Sequence, residues 1–157
     1  MGANSKITET LLKLAKENAT STQGGPFAAI IVKDGQIIAQ ATNQVLGTND
    51  PTAHAEVQAI RLACKKVNSF QLDGCILYTS CEPCPMCLGA IYWARPDKVF
   101  YVATRNEAAK GGFDDEFIYQ ELTIPIHERK IAFEKIDSPN SFDPFEVWLK
   151  NTSRTAY

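Results

Sequence analysis

Apolar residues recur at helical spacing near the start of the chain. Successive members fall three or four positions apart, so they would share one face of a helix. The pattern therefore predicts an amphipathic first helix over residues 5–19. Its apolar stripe would consist of Ile7, Leu11, Leu14 and Ala15, continued by Asn18.

Five short apolar segments predict β-strands. The first two are joined by Asp34-Gly35, a dipeptide typical of a two-residue hairpin turn. The third is apolar and ends in polar turn-forming residues, as a buried strand often does. The predicted strands are Phe27–Lys33, Gln36–Ala41, Cys75–Ser80, Lys98–Thr104 and Ile131–Ile136.

Helices are predicted between and after these strands. One begins near Asp50-Pro51-Thr52, where Asp50 or Thr52 would be the N-cap. Another begins at Pro85, whose fixed φ suits a first helical turn, and ends near Arg95. Because strands alternate with helices, the sequence predicts an α/β fold with an antiparallel hairpin at one side of a mixed sheet. Two later helices are predicted over Asp115–Leu122 and Asp143–Asn151.

The size and the net charge of the chain limit the classes of function that it can have. The chain has 157 residues and a mass of 17.3 kDa, which predicts a single domain over residues 1–157. Sixteen Lys and Arg against eighteen Asp and Glu give a net charge of −2. Proteins that hold a nucleic-acid backbone usually show a clear basic surplus. We therefore expect a small-molecule partner and no nucleic acid.

The apolar segments and the cysteines indicate where in the cell the protein is expected to be found. The polar N-terminal segment MGANSKITET has no apolar stretch of the kind found in secretory signals. The run Phe27–Val32 is far shorter than the ~20 residues of a membrane helix. Three of the five cysteines crowd into Cys81–Cys87, which suggests metal or redox chemistry rather than disulfides. We expect a cytoplasmic protein that does not contact membranes.

Two short motifs, 30 residues apart, combine into a candidate metal site. Cys84 and Cys87 are three positions apart at a helix start, so both thiols can reach one ion. His54 and Glu56 lie in the first turn of the preceding helix, where side chains lean back toward the N-terminus. One imidazole and two thiolates are the three protein ligands of a catalytic zinc site, with a fourth position open to water. Glu56 would be the base that moves the proton of that water.

Three other kinds of site fit these residues less well. A closed structural zinc site would need a fourth ligand such as Cys81, but it leaves Glu56 without a role. A bacterial iron–sulfur pattern would need a cysteine at position 91, which is Ile91. A dithiol redox motif would give His54 no role. The combination H-x-E with P-C-x-x-C is instead a zinc deaminase pattern, so hydrolytic deamination is the favoured chemistry.

The chain resembles the cytidine deaminase superfamily, and within it the small bacterial guanine deaminases. The resemblance extends over nearly the whole chain and implies a three-layer α/β/α fold with a central mixed sheet of about five strands. It implies one Zn²⁺ per subunit and conversion of guanine to xanthine and ammonia. It also implies a homodimer in which the segment about 140–157 is exchanged between subunits. The segments that carry it are GGPFAAIIVKDG, DPTAHAEVQAIRLACKK, CILYTSCEPCPMCLGAIYWA and NEAAKGGFDDEFIYQEL.

The resemblance also implies roles for individual residues. His54, Cys84 and Cys87 would bind the metal. Glu56 and Asp115 would be catalytic, with Asp115 near the leaving amine. The substrate-binding residues would be Phe27, which stacks on the purine, Asn43, Ala55, Trp93 and the terminal Tyr157.

Several alternatives stay open at this point. From the residue types alone, Phe27 and Trp93 also fit core positions, Asn43 fits a turn and Asp115 fits a helix cap. Guanosine deaminases and tRNA adenosine deaminases share the same metal motifs. A different class of protein, a zinc-stabilised binding module without catalysis, would release no ammonia from any nucleobase.

Overall fold

The computed structural model describes residues 2–157, which form two compact units. The first unit ends at Asp115 and the second spans Glu116–Tyr157. In the first unit, helices and strands alternate. They are α1 (Ser5–Ala19), β1 (Ala28–Lys33), β2 (Gln36–Thr42), α2 (Val45–Thr48), α3 (Ala55–Val67), β3 (Cys75–Cys81), α4 (Pro85–Ala94), β4 (Lys98–Ala103) and α5 (Arg105–Lys110). The second unit contains α6 (Glu116–Thr123), the 3-10 helix Ile126–Glu128 and α7 (Asp143–Lys150).

The sheet of the first unit has the strand order β2-β1-β3-β4. Strand β1 pairs antiparallel with β2 and β3, while β3 pairs parallel with β4. Asp34 and Gly35 form the predicted hairpin turn with φ angles of 49° and 77°. Two successive positive φ angles are those of a type I′ turn, which matches the twist of the flanking strands.

Apolar side chains cover both faces of this sheet. On one face, Ile7, Leu11 and Ala15 of α1 pack with Ile30 and Val32 of β1. The opposite face packs against α3 and α4, whose buried residues join those of the odd-numbered positions of β1 and β3: Ala29, Ile31, Ala59, Ala63, Leu77 and Ile91. Strand β1 is therefore buried on both sides, and the unit has the three layers α/β/α. The predicted fold class is confirmed.

Two details of the predicted fold are wrong. Four strands, not about five, form the sheet in residues 2–157, because 131–136 is not a strand. Ile131 and Ile136 are strongly exposed, so this segment lacks the buried apolar face that stabilises a strand. The third helix begins at Ala55 with His54 as its N-cap. Asp50 instead accepts hydrogen bonds from the N–H and hydroxyl of Thr52, at 2.8 and 2.7 Å, which forms a turn before the helix.

The other predicted helices agree with the structure to within one or two residues, whereas the short helices α2 and α5 were not predicted. Among residues 2–157, no helix combines the length and the apolar character needed to cross a bilayer.

Candidate active site

The two motifs meet at the starts of α3 and α4. The Nδ1 atom of His54 lies 3.6 Å from Sγ of Cys84 and 3.5 Å from Sγ of Cys87. All three potential ligand atoms lie within 4.8 Å of one another. Cys87 is fully buried, while His54 and Cys84 are partly exposed. The cluster is therefore anchored in the protein on one side and accessible on the other.

The helix starts explain how these side chains can converge. His54 and Cys84 are the N-cap residues of their helices, both with extended backbone angles. An N-cap side chain usually accepts a hydrogen bond from the helix backbone. Neither residue makes such a bond, so imidazole and thiol are directed toward each other instead. Pro85, as the first residue of α4, fixes the backbone next to Cys84.

The donor set fits zinc. Tetrahedral coordination with Zn–N near 2.0 Å and Zn–S near 2.3 Å places a nitrogen and a sulfur ligand about 3.5 Å apart. The two N···S distances of 3.6 and 3.5 Å agree with this value. Imidazole and thiolate are also the ligand types that zinc prefers. His54, Cys84 and Cys87 can therefore hold a zinc ion and leave one coordination position for water.

The protonation states of the two thiols are pushed in opposite directions. A hydrogen bond from Cys87, together with one from His54, lowers the pKa of Cys84 to about 4. The same interaction with Cys84, together with burial, raises the pKa of Cys87. The pKa of His54 is raised by its hydrogen bond to Cys84. The metal-free cluster thus holds a Cys84 thiolate, and metal binding must displace the proton on Cys87.

Glu56 lies beside the cluster, in the first turn of α3. Its Oε1 atom accepts a hydrogen bond of 2.8 Å from the hydroxyl of Thr79. Its Oε2 atom lies 3.4 Å from Sγ of Cys87. Burial raises the pKa of the Glu56 carboxyl above its usual range, because a low-dielectric environment disfavours the charged form. Such a group is protonated more readily than an ordinary glutamate, which suits it to accept and return a proton.

A cavity of about 820 Å³ in the first unit opens onto this cluster. His54, Glu56 and Cys84 lie in its wall, and so do three further predicted site residues: Phe27, Asn43 and Asp115. The rings of Phe27 and Phe113 form a T-shaped pair, with centroids 4.8 Å apart and an interplanar angle of 85°. Burial raises the pKa of Asp115. The cavity wall therefore combines an aromatic surface, an amide and several carboxyl groups, Glu56 and Asp115 among them.

The amide of Asn43 has a defined orientation. Its Oδ1 accepts from the backbone N–H of Val45 at 3.1 Å and of Gly25 at 3.4 Å. The Nδ2 group is thereby left as the donor that a ligand in the cavity can use. Gly24 is required for this arrangement, since a Cβ atom there would collide with Oδ1 of Asn43.

Three predicted site residues lie elsewhere. Ala55 is fully buried in the core between α3 and the sheet. Trp93 lies near the end of α4 and is 64% exposed, and the cavity wall formed by described residues does not include it. Tyr157 belongs to the second unit, where its ring packs against Trp148 with centroids 6.5 Å apart. Their proposed contacts with substrate stay predictions.

Sequence reasoning missed Phe113 and Thr79. Phe113 follows Gly111-Gly112, and a glycine pair gives no signal for the aromatic contact that comes after it. Thr79 is one of two adjacent hydroxyl residues at the end of an apolar strand. Period-2 alternation places it on the face that α3 covers, and this was the available signal.

Comparison with known proteins settles the family. The model of the cytidine and deoxycytidylate deaminase zinc-binding region matches residues 1–103. The chain belongs to this deaminase family. The predicted resemblance, carried by the segments around His54 and Cys84, is thereby confirmed.

The similarity of this deaminase to individual relatives differs in extent. It is 56% identical over 153 residues to the guanine deaminase of Bacillus subtilis (strain 168), which covers 95% of this chain and 98% of that protein. An X-ray structure of guanine deaminase from Bacillus subtilis superposes with a TM-score of 0.96 at 52% identity, covering 99% of both chains. A tRNA-specific adenosine deaminase of Aquifex aeolicus (strain VF5) is 50% identical over 78 residues, or 50% of this chain and 52% of that one.

Proposed function

We propose that this deaminase converts guanine to xanthine and ammonia by zinc-dependent hydrolysis. The observation that carries the proposal is the position of Glu56, which lines the cavity with its carboxylate against the ligand Cys87. Hydrolytic deamination needs a proton carrier at this place, beside the activated water. The similarity to a guanine deaminase over 95% of the chain supports guanine as the base.

His54, Cys84 and Cys87 would hold the zinc ion. In the part of the chain that the structure describes, this group alone brings three such ligand atoms together, which supports one ion per subunit. When bound there, zinc supplies an acidified water as the nucleophile.

Glu56 would then move protons at two points of the reaction. It takes a proton from the water and delivers it to the ring nitrogen next to C2 of guanine. A second transfer goes to the amino group on C2, which leaves as ammonia while the water oxygen stays on the carbon. Asp115, in the same cavity wall, would assist the second transfer. The raised pKa of Glu56 supports this role, because a carboxyl that titrates closer to neutrality is a better proton carrier.

Phe27 and Asn43 would bind the purine. Phe27 offers an aromatic ring for stacking, and its T-shaped contact with Phe113 supports its orientation. The Nδ2 group of Asn43 can donate to an acceptor at the purine edge. The substrate contacts of Ala55, Trp93 and Tyr157 rest on the family resemblance.

Two related activities are less well supported. A tRNA adenosine deaminase must bind a polyanion, yet this chain has a net charge of −2. The tRNA-specific adenosine deaminases similar to it match 50–70% of the chain, against 95% for the guanine deaminase. A guanosine deaminase would have to place a ribose in the same cavity. The substrate panel described below separates these activities.

The assembly is also part of the proposal. We infer a homodimer in which the segment about 140–157 is exchanged, and a single deaminase domain formed by residues 1–157. The second unit supports this, because none of its described residues is buried. Five cysteines without disulfide partners support a cytoplasmic location.

A substrate panel tests the proposed activity. Zinc-loaded protein is incubated with guanine, guanosine, adenine, cytosine and cytidine, and ammonia is measured. We expect release from guanine above all others. Glu56→Gln should keep its zinc but lose turnover by about 10³-fold, because the amide cannot carry the proton. Preferred release from guanosine would point to a nucleoside deaminase, and no release from any base would indicate a zinc-stabilised binding module.

A further inference from the structure

The two carboxylate oxygens of Glu56 have different partners. The hydroxyl of Thr79 donates to Oε1 at 2.8 Å. Oε2 is the oxygen on the side of the metal ligands, 3.4 Å from Sγ of Cys87. Thr79 is 1% exposed and Glu56 is 6% exposed, so water cannot readily replace this hydrogen bond. One oxygen is thus held by the protein, and the other is turned toward the ligand cluster.

Thr79 is well suited to hold a side chain in place. It lies in β3, a strand hydrogen-bonded on both sides, where it is paired with Ala29 of β1 and Tyr101 of β4. Its backbone is therefore fixed by the sheet, and a hydroxyl on such a rigid element has little freedom to move. The adjacent Ser80 points to the opposite face, where its Oγ accepts from the N–H of Ala28 at 3.0 Å.

We propose that Thr79 is a positioning residue for the deamination reaction. Its hydroxyl holds Oε1 of Glu56, so that Oε2 is the oxygen that exchanges protons with water and substrate. This inference rests on the proposed function of Glu56. A hydroxyl has a single hydrogen to donate, and here that hydrogen is used on Oε1. Without it, the buried carboxylate loses its fixed rotation and only a fraction of molecules presents an oxygen to the substrate.

Three variants separate positioning from packing. Thr79→Val keeps the shape of the side chain but removes the hydroxyl. Thr79→Ser keeps the hydroxyl but removes a methyl group. Ser80→Ala removes the neighbouring buried hydroxyl, which does not contact Glu56. For each variant we would measure kcat and KM for guanine, zinc content and the midpoint of thermal unfolding.

We expect Thr79→Val to lower kcat roughly 10- to 100-fold, as expected for loss of a hydrogen bond to a charged group. Its KM should stay within about twofold, because the residue does not touch the purine. Thr79→Ser should recover most of kcat although its missing methyl group lowers the unfolding midpoint. Ser80→Ala should lower the midpoint and leave kcat near the wild-type value. Zinc content should be the same in all four proteins.

A crystal structure of Thr79→Val adds a measurement that needs no turnover. The Glu56 carboxylate is expected to rotate away from its present position or to occupy several conformers. An unchanged Glu56 conformer, a wild-type kcat in Thr79→Val, or equal losses of kcat in the Ser and Val variants would overturn the positioning role. Wild-type protein that releases no ammonia from guanine would refute the proposed function instead, and the Glu56 conformer would still decide the role of Thr79.

Discussion

The thiols of the ligand cluster differ more from one another than their sequence positions suggest. Cys84 has its pKa lowered to about 4, whereas the pKa of Cys87, three residues later, is raised. The remaining cysteines lack such a partner, and burial raises the pKa of Cys64, Cys75 and Cys81, that of Cys81 to about 11. In the metal-free protein, Cys84 is therefore the thiolate at neutral pH. Alkylating reagents attack thiolates rather than thiols.

This difference predicts selective labelling after metal removal. Zinc-free protein treated with iodoacetamide at pH 6 should be alkylated first at Cys84, because pH 6 lies above its pKa and below those of Cys64, Cys75 and Cys81. Adding zinc before the reagent should protect Cys84. Mass spectrometry of the tryptic peptides measures both effects, with Cys84→Ser as the control that should abolish rapid labelling. Equal labelling of all cysteines, or no protection by zinc, would contradict the predicted site.

At this scale, the sequence predicted that the side chains of the ligand cluster converge, but it did not predict their surroundings. His54, Glu56, Cys84 and Cys87 were predicted because their spacing places them at two helix starts. Thr79 could not be assigned to Glu56, since the contact depends on which face of β3 is covered by α3. The contact between Thr79 and Glu56 joins residues 23 positions apart in the chain. It depends on how α3 packs on the sheet, which no local sequence pattern indicates.

At the scale of elements, the start of α3 shows a residue of the candidate site in place of the N-cap that local sequence preferences predict. Capping preference predicted Asp50 or Thr52 as the N-cap, because Asp and Thr are common there. The structure uses His54, a residue that makes no capping bond. The preference failed because Asp50 is already bonded to Thr52, and because the N-cap position directs His54 toward Cys84. A helix start that serves a metal site does not follow the statistics of ordinary caps.

Helix α1 contributes a buried amide that holds two segments of the cavity wall. The Nδ2 group of Asn18 donates to the carbonyl oxygen of Gly25 at 2.7 Å and to that of Asn43 at 3.0 Å. These carbonyls belong to the segment before β1 and to the end of β2. Asn18 was predicted on the apolar stripe of this helix, an unusual place for an amide. Its two hydrogen bonds explain the position, because they join the two segments that carry Phe27 and Asn43.

Replacing Asn18 should therefore affect both stability and substrate binding. Asn18→Asp has the same size but cannot donate to either carbonyl, and we expect it to lower the free energy of unfolding by about 1–3 kcal/mol. Because Asn43 is no longer held, KM for guanine should rise several-fold while kcat changes less. Urea unfolding and steady-state kinetics measure the two effects. The control is Glu17→Gln, an exposed change on the same helix. If Asn18→Asp lowers stability without changing KM, Asn18 contributes to packing and not to substrate binding.

At the scale of the whole molecule, the two units differ in how they bury apolar surface. The first unit has a core on each face of its sheet. In Glu116–Tyr157, every described residue is at least partly exposed, including the large side chains Phe117, Ile126, Phe133, Phe145, Val147, Trp148 and Leu149. Exposed apolar surface of this extent is typical of a contact site between proteins. The proposed exchange of the segment about 140–157 between two copies would cover the exposed apolar side chains of α7.

The strands and longer helices of the first unit and the two longer helices of the second unit followed from periodicity and local signals, whereas the segment 131–136 did not. Alternating strands and helices, the Asp34-Gly35 turn and Pro85 are local signals, and each led to the observed element. The segment 131–136 has strand-like composition but no buried face. Composition alone cannot distinguish a strand from an irregular segment whose apolar residues are exposed. The error in strand number arises from this difference.

The proposed dimer gives the last prediction. Helix α7 places Phe145, Trp148 and Leu149 on one face, and all three are exposed. If this face packs against a second copy, Phe145→Asp should bury a charge without a partner and dissociate the dimer. Light scattering during gel filtration should give about twice the 17.3 kDa chain mass for the wild type and the single-chain mass for the variant. Lys150→Glu changes the charge at the end of the same helix, outside this apolar face, and should remain dimeric. A concentration on the order of 100 µM is far above that which a standard-size interface requires. If the wild-type protein stays monomeric at this concentration, the apolar face of α7 is not covered by a second copy.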